Sequence, residues 1–333
     1  MTHSPPARWR RWPALLALLL LFAAAPPARG QFDETPEEAA EASSGIRLDE
    51  ARTVRLKVGI IIRSTGGPLR GVYGTTPIPI EWPEQRVKIV DEEASRHVKR
   101  VRFRTLGKTM KQMEVTIPFV EKGGTAEAFV TLEVERHAIL APEQTDGFTI
   151  PAKVDRSLKP FLLASPFIET RNVKIRKVAE ELAAGWSDET DWQKVESIYD
   201  WVREHVTYQD GPLKGAYQAL KDGTGDCEEL SSLFIALCRI NDIPARTVWI
   251  PGHCYPEFYL EDAKGNGHWF PCQAAGDRAF GSMPEHRVIL QKGDNFKVPH
   301  HKKRQRYVSE FLRVDAPGQH PPRVEFVRDV LPE

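Results

Sequence analysis

The sequence has no excess of charge: 46 lysines and arginines stand against 46 aspartates and glutamates. A dedicated nucleic-acid binder normally shows a clearly basic domain, so that class is set aside. The even count hides an asymmetry at the start of the chain. Residues 1–30 hold Arg8, Arg10, Arg11 and Arg29 and no acid, which leaves 42 basic and 46 acidic residues in the remainder, a net charge of −4. After residue 30 no apolar run is long enough to cross a bilayer. No glycine-rich phosphate loop occurs and no metal-ligand spacing is convincing, so neither a cofactor nor a metal is expected. With 41% hydrophobic and 28% charged residues, the composition is that of a globular chain and excludes a mostly disordered one.

The three leading arginines precede an apolar run, Ala14 to Ala25, that is too short to span a membrane. Ala28 and Gly30 then place small residues before Gln31, the pattern of a cleaved secretory signal peptide over 1–30. Pro26 and Pro27 end the run, which disfavours an uncleaved anchor helix. No cysteine lies near this point to carry a lipid. An exported protein, periplasmic or secreted, in an oxidising compartment is expected. It should have no membrane span once the signal is removed.

Residues 31–47 are rich in Glu, Ala, Pro and Ser and read as a flexible leader. From 48 to 142 the signal has period two. Val54, Leu56, Val58, Ile60 and Ile62 alternate with other residues, as do Met113, Val115, Ile117 and Phe119, and then Ala128, Val130, Leu132 and Val134. This predicts an antiparallel β-sandwich. It contains no cluster of His, Cys or paired acids, and is read as non-catalytic. From 143 to 315 the pattern becomes α+β. Ile175, Val178 and Leu182 share a helical face; a second helix follows Ser187-Asp188 with Trp192, Val195, Ile198, Tyr199, Val202 and Val206 inside; a third begins near Cys227 and ends at Asn241-Asp242. Strand-like segments follow at 246–250, 253–260, 268–273 and 287–290. The proline-rich stretch 316–333 reads as a poorly packed tail.

Gly223-Thr224-Gly225-Asp226-Cys227 leads straight into the third helix. The turn puts Cys227 in the first helical turn, where unpaired N–H groups and the helix dipole favour a thiolate. Downstream, His253-Cys254 opens one strand and Pro271-Cys272-Gln273 closes another. Pairing His253 with Gln273 in a hairpin also sets Cys254 against Cys272. His253 and Gln273 then share one face, and the two cysteines share the other, away from the site. A cross-strand disulfide or a reduced pair in contact is expected there. Cys227, His253 and Gln273 have the residue types of a nucleophile, a base and an orienting group.

Gly225-Asp226-Cys227, Leu237-Cys238-Arg239, Ile243-Pro244-Ala245-Arg246, His253-x-Tyr255-x-Glu257 and Trp269-x-Pro271 occur in an order and spacing that resembles the transglutaminase-like superfamily. Ile198 to Tyr208 resembles the helix before that family's nucleophile, and the β-rich half resembles the N-terminal β domain of bacterial members. The resemblance implies a papain-like α+β core preceded by the β-sandwich, with Cys227 as nucleophile and His253 as general base. It implies acyl transfer on an amide of a protein or peptide through a thioester. Hydrolysis, as a peptidase or amidase, is favoured over amine transfer, which is protein cross-linking. A third reading is a groove that binds or assembles without turnover. The family usually has Asp where this chain has Gln273. An amide oxygen can accept the imidazole Nδ1–H and fix the tautomer, but it adds no charge.

The remaining candidates read as structural. Cys238 is core packing, about 16 Å along the helix from Cys227. Arg239 and Arg246 bond carboxylates or carbonyls. Glu257, about 13 Å along the strand from His253, cannot orient it, and His268 is a half-buried strand residue. The run His300 to Arg306 is a solvated loop. The oxyanion hole should use the Cys227 N–H and one donor among Trp201, Tyr208, Tyr217 and Gln218.

Overall fold

The computed structural model describes residues 46–299, 301–316 and 320–332. The expected signal peptide, and all but the last two residues of the expected leader, lie outside the described residues. Six strands come first: β1 (Arg47–Arg63), β2 (Leu69–Ile78), β3 (Gln85–Ala94), β4 (Arg100–Leu106), β5 (Met110–Val120) and β6 (Thr125–Leu140). A 3-10 turn at Lys159–Leu162 leads to α1 (Val173–Ala183) and α2 (Asp191–His205). The short elements β7 (Thr207–Tyr208), α3 (Ala216–Asp222) and β8 (Thr224–Gly225) precede α4 (Cys227–Ile240). Then come β9 (Ala245–Ile250), β10 (His253–Glu261), β11 (Gly267–Pro271), β12 (Gln291–Lys292), β13 (Phe311–Ala316) and β14 (Arg323–Leu331).

Two antiparallel sheets, in orders β14-β1-β6-β3 and β13-β2-β5-β4, form the sandwich. The alternation read from the sequence is the buried face: Leu56, Val58, Ile60 and Ile62 of β1 pack with Val72 of β2 and with Val115 and Ile117 of β5. The third sheet, in order β11-β10-β9-β12, belongs to the α+β core. Its Phe258 and Phe270 pack on α4, which is buried without a break from Glu229 to Arg239. Ile175 of α1 and Val195 and Tyr199 of α2 join the same core. A helix apolar on nearly all sides needs such a central position. Sandwich and core meet through Ile139, Val248, Ile250, Tyr255, Met283 and Ile289. The α+β class with a preceding β-rich region holds. No helix among the described residues is long and apolar enough to cross a membrane.

Three local expectations are corrected, and one short helix is new. Helix α2 starts later than Ser187-Asp188, because Thr190 and Gln193 form the capping box. Strand pairing occurs at Gln291–Lys292, against Trp249 and Val248, and not over 287–290. The short helix α3 has too few residues to show a period. The largest difference is at the C-terminus. Instead of a loose tail, β14 pairs along β1 from Arg55↔Leu331 to Arg63↔Arg323, while β13 pairs with β2.

Candidate active site

The nucleophile candidate is positioned by backbone constraints on both sides. Gly223 ends α3 in the left-handed region, at φ 67°. A Cβ on Gly225 would come within 2.5 Å of the Glu229 Cβ, so the chain can pass there only as glycine. The Asp226 side chain caps α4 by accepting from Glu228 N, and Asp226 N donates to Glu229 Oε2 at 3.1 Å. Glu229 Oε1 accepts from Lys214 N at 2.8 Å, which ties the incoming loop to the same cap. Cys227 is therefore the first residue of the helix, half-buried, with the unpaired N–H groups of the first turn around it.

His253 opens β10, and Gln273 follows β11. Gln273 Oε1 lies 3.3 Å from His253 Nε2. The amide meets the imidazole, but at Nε2 and not at the expected Nδ1. The Gln273 backbone is fixed from α2: its carbonyl accepts from Tyr199 Oη at 2.9 Å and from Arg203 Nη1 at 3.0 Å. Its N–H donates to Ala279 O at 2.8 Å. In the sequence Tyr199 belongs to an apolar stripe, and Arg203 carries no local signal. The available signal was the hydroxyl of a buried tyrosine, which needs a partner.

The hairpin register is corrected by two residues. Glu257 pairs with Pro271, and Cys272 N donates to Pro256 O at 3.0 Å, so Cys254 and Cys272 are not opposite each other. The loop decides this. Asp262 accepts from Lys264 N, Asn266 N and Asn266 Nδ2, and its own N–H donates to Asn266 O. That closes the loop over 262–266, with Glu261 opposite Gly267. A shift of two preserves the alternation of side chains along each strand. The four cysteines are all free thiols. Cys254 is also not remote from the site. It faces α4, with its Sγ 3.9 Å from Ser231 Oγ, and it is close enough to Cys227 to lower the pKa of that thiol.

These contacts set the charge of Cys227. Its pKa is pushed down to about 4, first by the Cys254 side-chain donor; burial opposes this, and His253 and the Cys254 N–H add to it. Burial pushes the Cys254 thiol up, so Cys254 keeps the proton that it donates. Glu228 is raised to about 7 by burial, against the opposing charge of Arg306, with which it forms an ion pair. Arg306 is thus drawn out of the expected solvated run, while Lys302 and Lys303 remain exposed. A cavity of about 390 Å³ lies over Cys227 and His253, lined also by Tyr208, Asp210, Glu228, Trp249, Arg306 and Arg328. Of the four oxyanion donors considered, Tyr208 lines this space. It stays a phenol, its pKa raised to about 12 by donation to Asp210.

The structural candidates behave as such. Arg239 forms a buried ion pair with Asp294 and donates to Ala245 O, and Arg246 pairs with Glu257. Cys238 is fully buried in the core. His268 is buried and bonds Asp262, away from Cys227.

Residues 176–274, which include Cys227, His253 and Gln273, match the family model described as the transglutaminase-like superfamily. Over this segment the chain is similar to that superfamily. No curated protein matches the chain significantly. Among solved structures, a candidate cysteine protease from Cytophaga hutchinsonii superposes with a TM-score of 0.57 at 19% identity, over 86% of this chain and 93% of that one. At that identity the likeness establishes the shared fold alone, and it extends over sandwich and transglutaminase-like core together. The periplasmic domain of TgpA from Pseudomonas aeruginosa, bound to ethylmercury, matches with a TM-score of 0.31 at 14% identity, over 72% and 93% of the two chains, too weakly to carry an argument.

Proposed function

We propose that the protein is an exported cysteine hydrolase that cleaves amide bonds of proteins or peptides through a thioester on Cys227. The observation that carries this is the junction of a helix-terminal thiol of lowered pKa with an imidazole held at Nε2 by Gln273. The Cys227 thiolate attacks the carbonyl and a C–S bond forms. The C–N bond breaks as the His253 imidazolium gives its proton to the leaving nitrogen. Neutral His253 then takes a proton from water, the C–O bond forms, the C–S bond breaks, and thiolate and imidazolium are restored. Gln273 is the positioning residue: it holds the ring but adds no charge to stabilise the imidazolium.

Access of water supports hydrolysis over amine transfer. Tyr208 is 51% exposed and Asp210 and Gly252 are exposed at the mouth of the cavity, and favouring an amine over water requires excluding water. The test is release of product from a glutamine- and peptide-containing substrate, with and without an added primary amine. Cys227-dependent turnover to acid, little changed by the amine, is expected, and Cys227→Ser should abolish it while leaving the folded spectrum intact. Incorporation of the amine in place of hydrolysis would select the cross-linking reading. Failure of any thiol-reactive probe to label Cys227 would leave only the non-catalytic groove.

A further inference from the structure

A second and larger cavity, about 750 Å³, opens beyond Gln273. Its near side is Gln273 and Pro251. Pro251 also lines the cavity over Cys227, so the two spaces flank the same β9–β10 turn. One wall comes from the sandwich. Arg52, Val54 and Leu56 are alternate residues of β1 and share a face, and Val330 of β14 is paired opposite Leu56. Met283 and Val288, in the segment after β11, line the cavity as well, beside the charged Asp277, Arg278, Glu285 and Arg287. Leu56, Met283 and Val288 are buried, while Val54 is half-buried and Val330 is 63% exposed. The inner apolar stripe of the sandwich therefore continues past its own core into a groove beside the site. A volume of this size lies within the usual range of ligand pockets, about 300–1,000 Å³.

We infer that this groove holds the leaving-group side of the scissile amide, and therefore also any incoming amine, and that it selects an apolar side chain there. The inference rests on the reading of Cys227 and His253 as the reacting pair. The acyl carbon becomes bonded to Cys227. The leaving nitrogen must receive its proton from His253, so that half of the substrate lies on the imidazole side. Gln273 contacts the imidazole and at the same time lines the groove. An amine that replaces water re-enters by the same position, in the reverse of the departure. Its nitrogen attacks the thioester carbonyl, the C–N bond forms, the C–S bond breaks, and the amine proton passes to His253, leaving a thiolate and an imidazolium. The sandwich wall thus supplies specificity at a site whose reacting groups all come from the core.

The experiment acylates the full mature chain with p-nitrophenyl acetate, which brings no leaving-side residue, and lets leucinamide or glycinamide compete with water for the thioester. Leucinamide is expected to divert half of the acyl groups at a concentration at least tenfold below that needed of glycinamide. Val330→Asp should bring that ratio close to one; the exposed position makes unfolding an unsuitable explanation. Val54→Asp, accepted only with a wild-type circular dichroism spectrum, should do the same. Equal competition by the two amides in the parent, or a ratio that survives both substitutions, overturns the groove assignment while a Cys227-dependent burst of p-nitrophenol keeps the proposed function standing. Absence of that burst, with Cys227 unlabelled, removes the proposed function and this inference with it.

Discussion

Cys227 is made acidic by its neighbours, with Cys254 first among them. The first donor to its sulfur is the Cys254 thiol, ahead of His253. Cys254 can play that part because burial holds its own proton on. Deprotonation of Cys227 is what the donors favour, so its thiolate persists down to about pH 4, far below the free-thiol value of about 8.5. Alkylation by iodoacetamide, followed against pH, should therefore have its midpoint in the acid range. Cys254→Ala removes the leading donor and should move the midpoint upward, while Cys254→Ser, which keeps a donor, should move it less. A midpoint identical in parent and Cys254→Ala would show that the second thiol is inert packing. The sequence named both cysteines but set Cys254 on the far face. Alternation along an ideal strand does not report that the start of β10 lies against Ser231 of α4, because that is a fact of tertiary packing.

At the scale of elements, α4 was legible almost to the residue because its ends are written in local chemistry: a glycine turn and capping box before it, Asn241-Asp242 after it. The β10–β11 register was not legible from the pairing of His253 with Gln273, because the Asp262 side-chain bonds that centre the loop outweigh it. What anchors α4 at its other end was hidden as well. Arg239 is buried, donates to both oxygens of Asp294, and spans to Leu163 O and Ala245 O. Asp294 lies 55 residues further on, beyond any local pattern. Removing a buried partner leaves an uncompensated charge, which costs about 3–5 kcal/mol. Asp294→Ala should lower the stability read from urea unfolding by about that amount. A loss below about 1 kcal/mol would mean that solvent reaches Arg239 and compensates it.

In the whole molecule, the C-terminal segment ties the architecture together. Of the prolines that made 316–333 read as a tail, Pro321 and Pro322 stand just before β14 and Pro332 just after it. After the first two, Val324 and Phe326 return to the alternation of a sandwich strand and pack on its core. The pattern is weak because β14 is an edge strand with several polar residues, as edges commonly are. Its loss would nonetheless be severe. Truncation after Ala316 keeps β13 on β2 but strips β1 of one of its two partners from Arg55 to Arg63 and uncovers the row of N–H and C=O groups on that side of Leu56, Val58 and Ile60. It also deletes Arg328 from the cavity over Cys227 and Val330 from the groove beyond Gln273. The truncated chain should melt at least about 5 °C below the parent, as a loss of a few kcal/mol dictates for a chain of this size, and should associate through the bared edge. Thermal unfolding by circular dichroism and size-exclusion chromatography would measure both. An unchanged melting temperature with a monomeric profile would return the segment to the status of a loose tail and remove the sandwich's edge from the substrate groove.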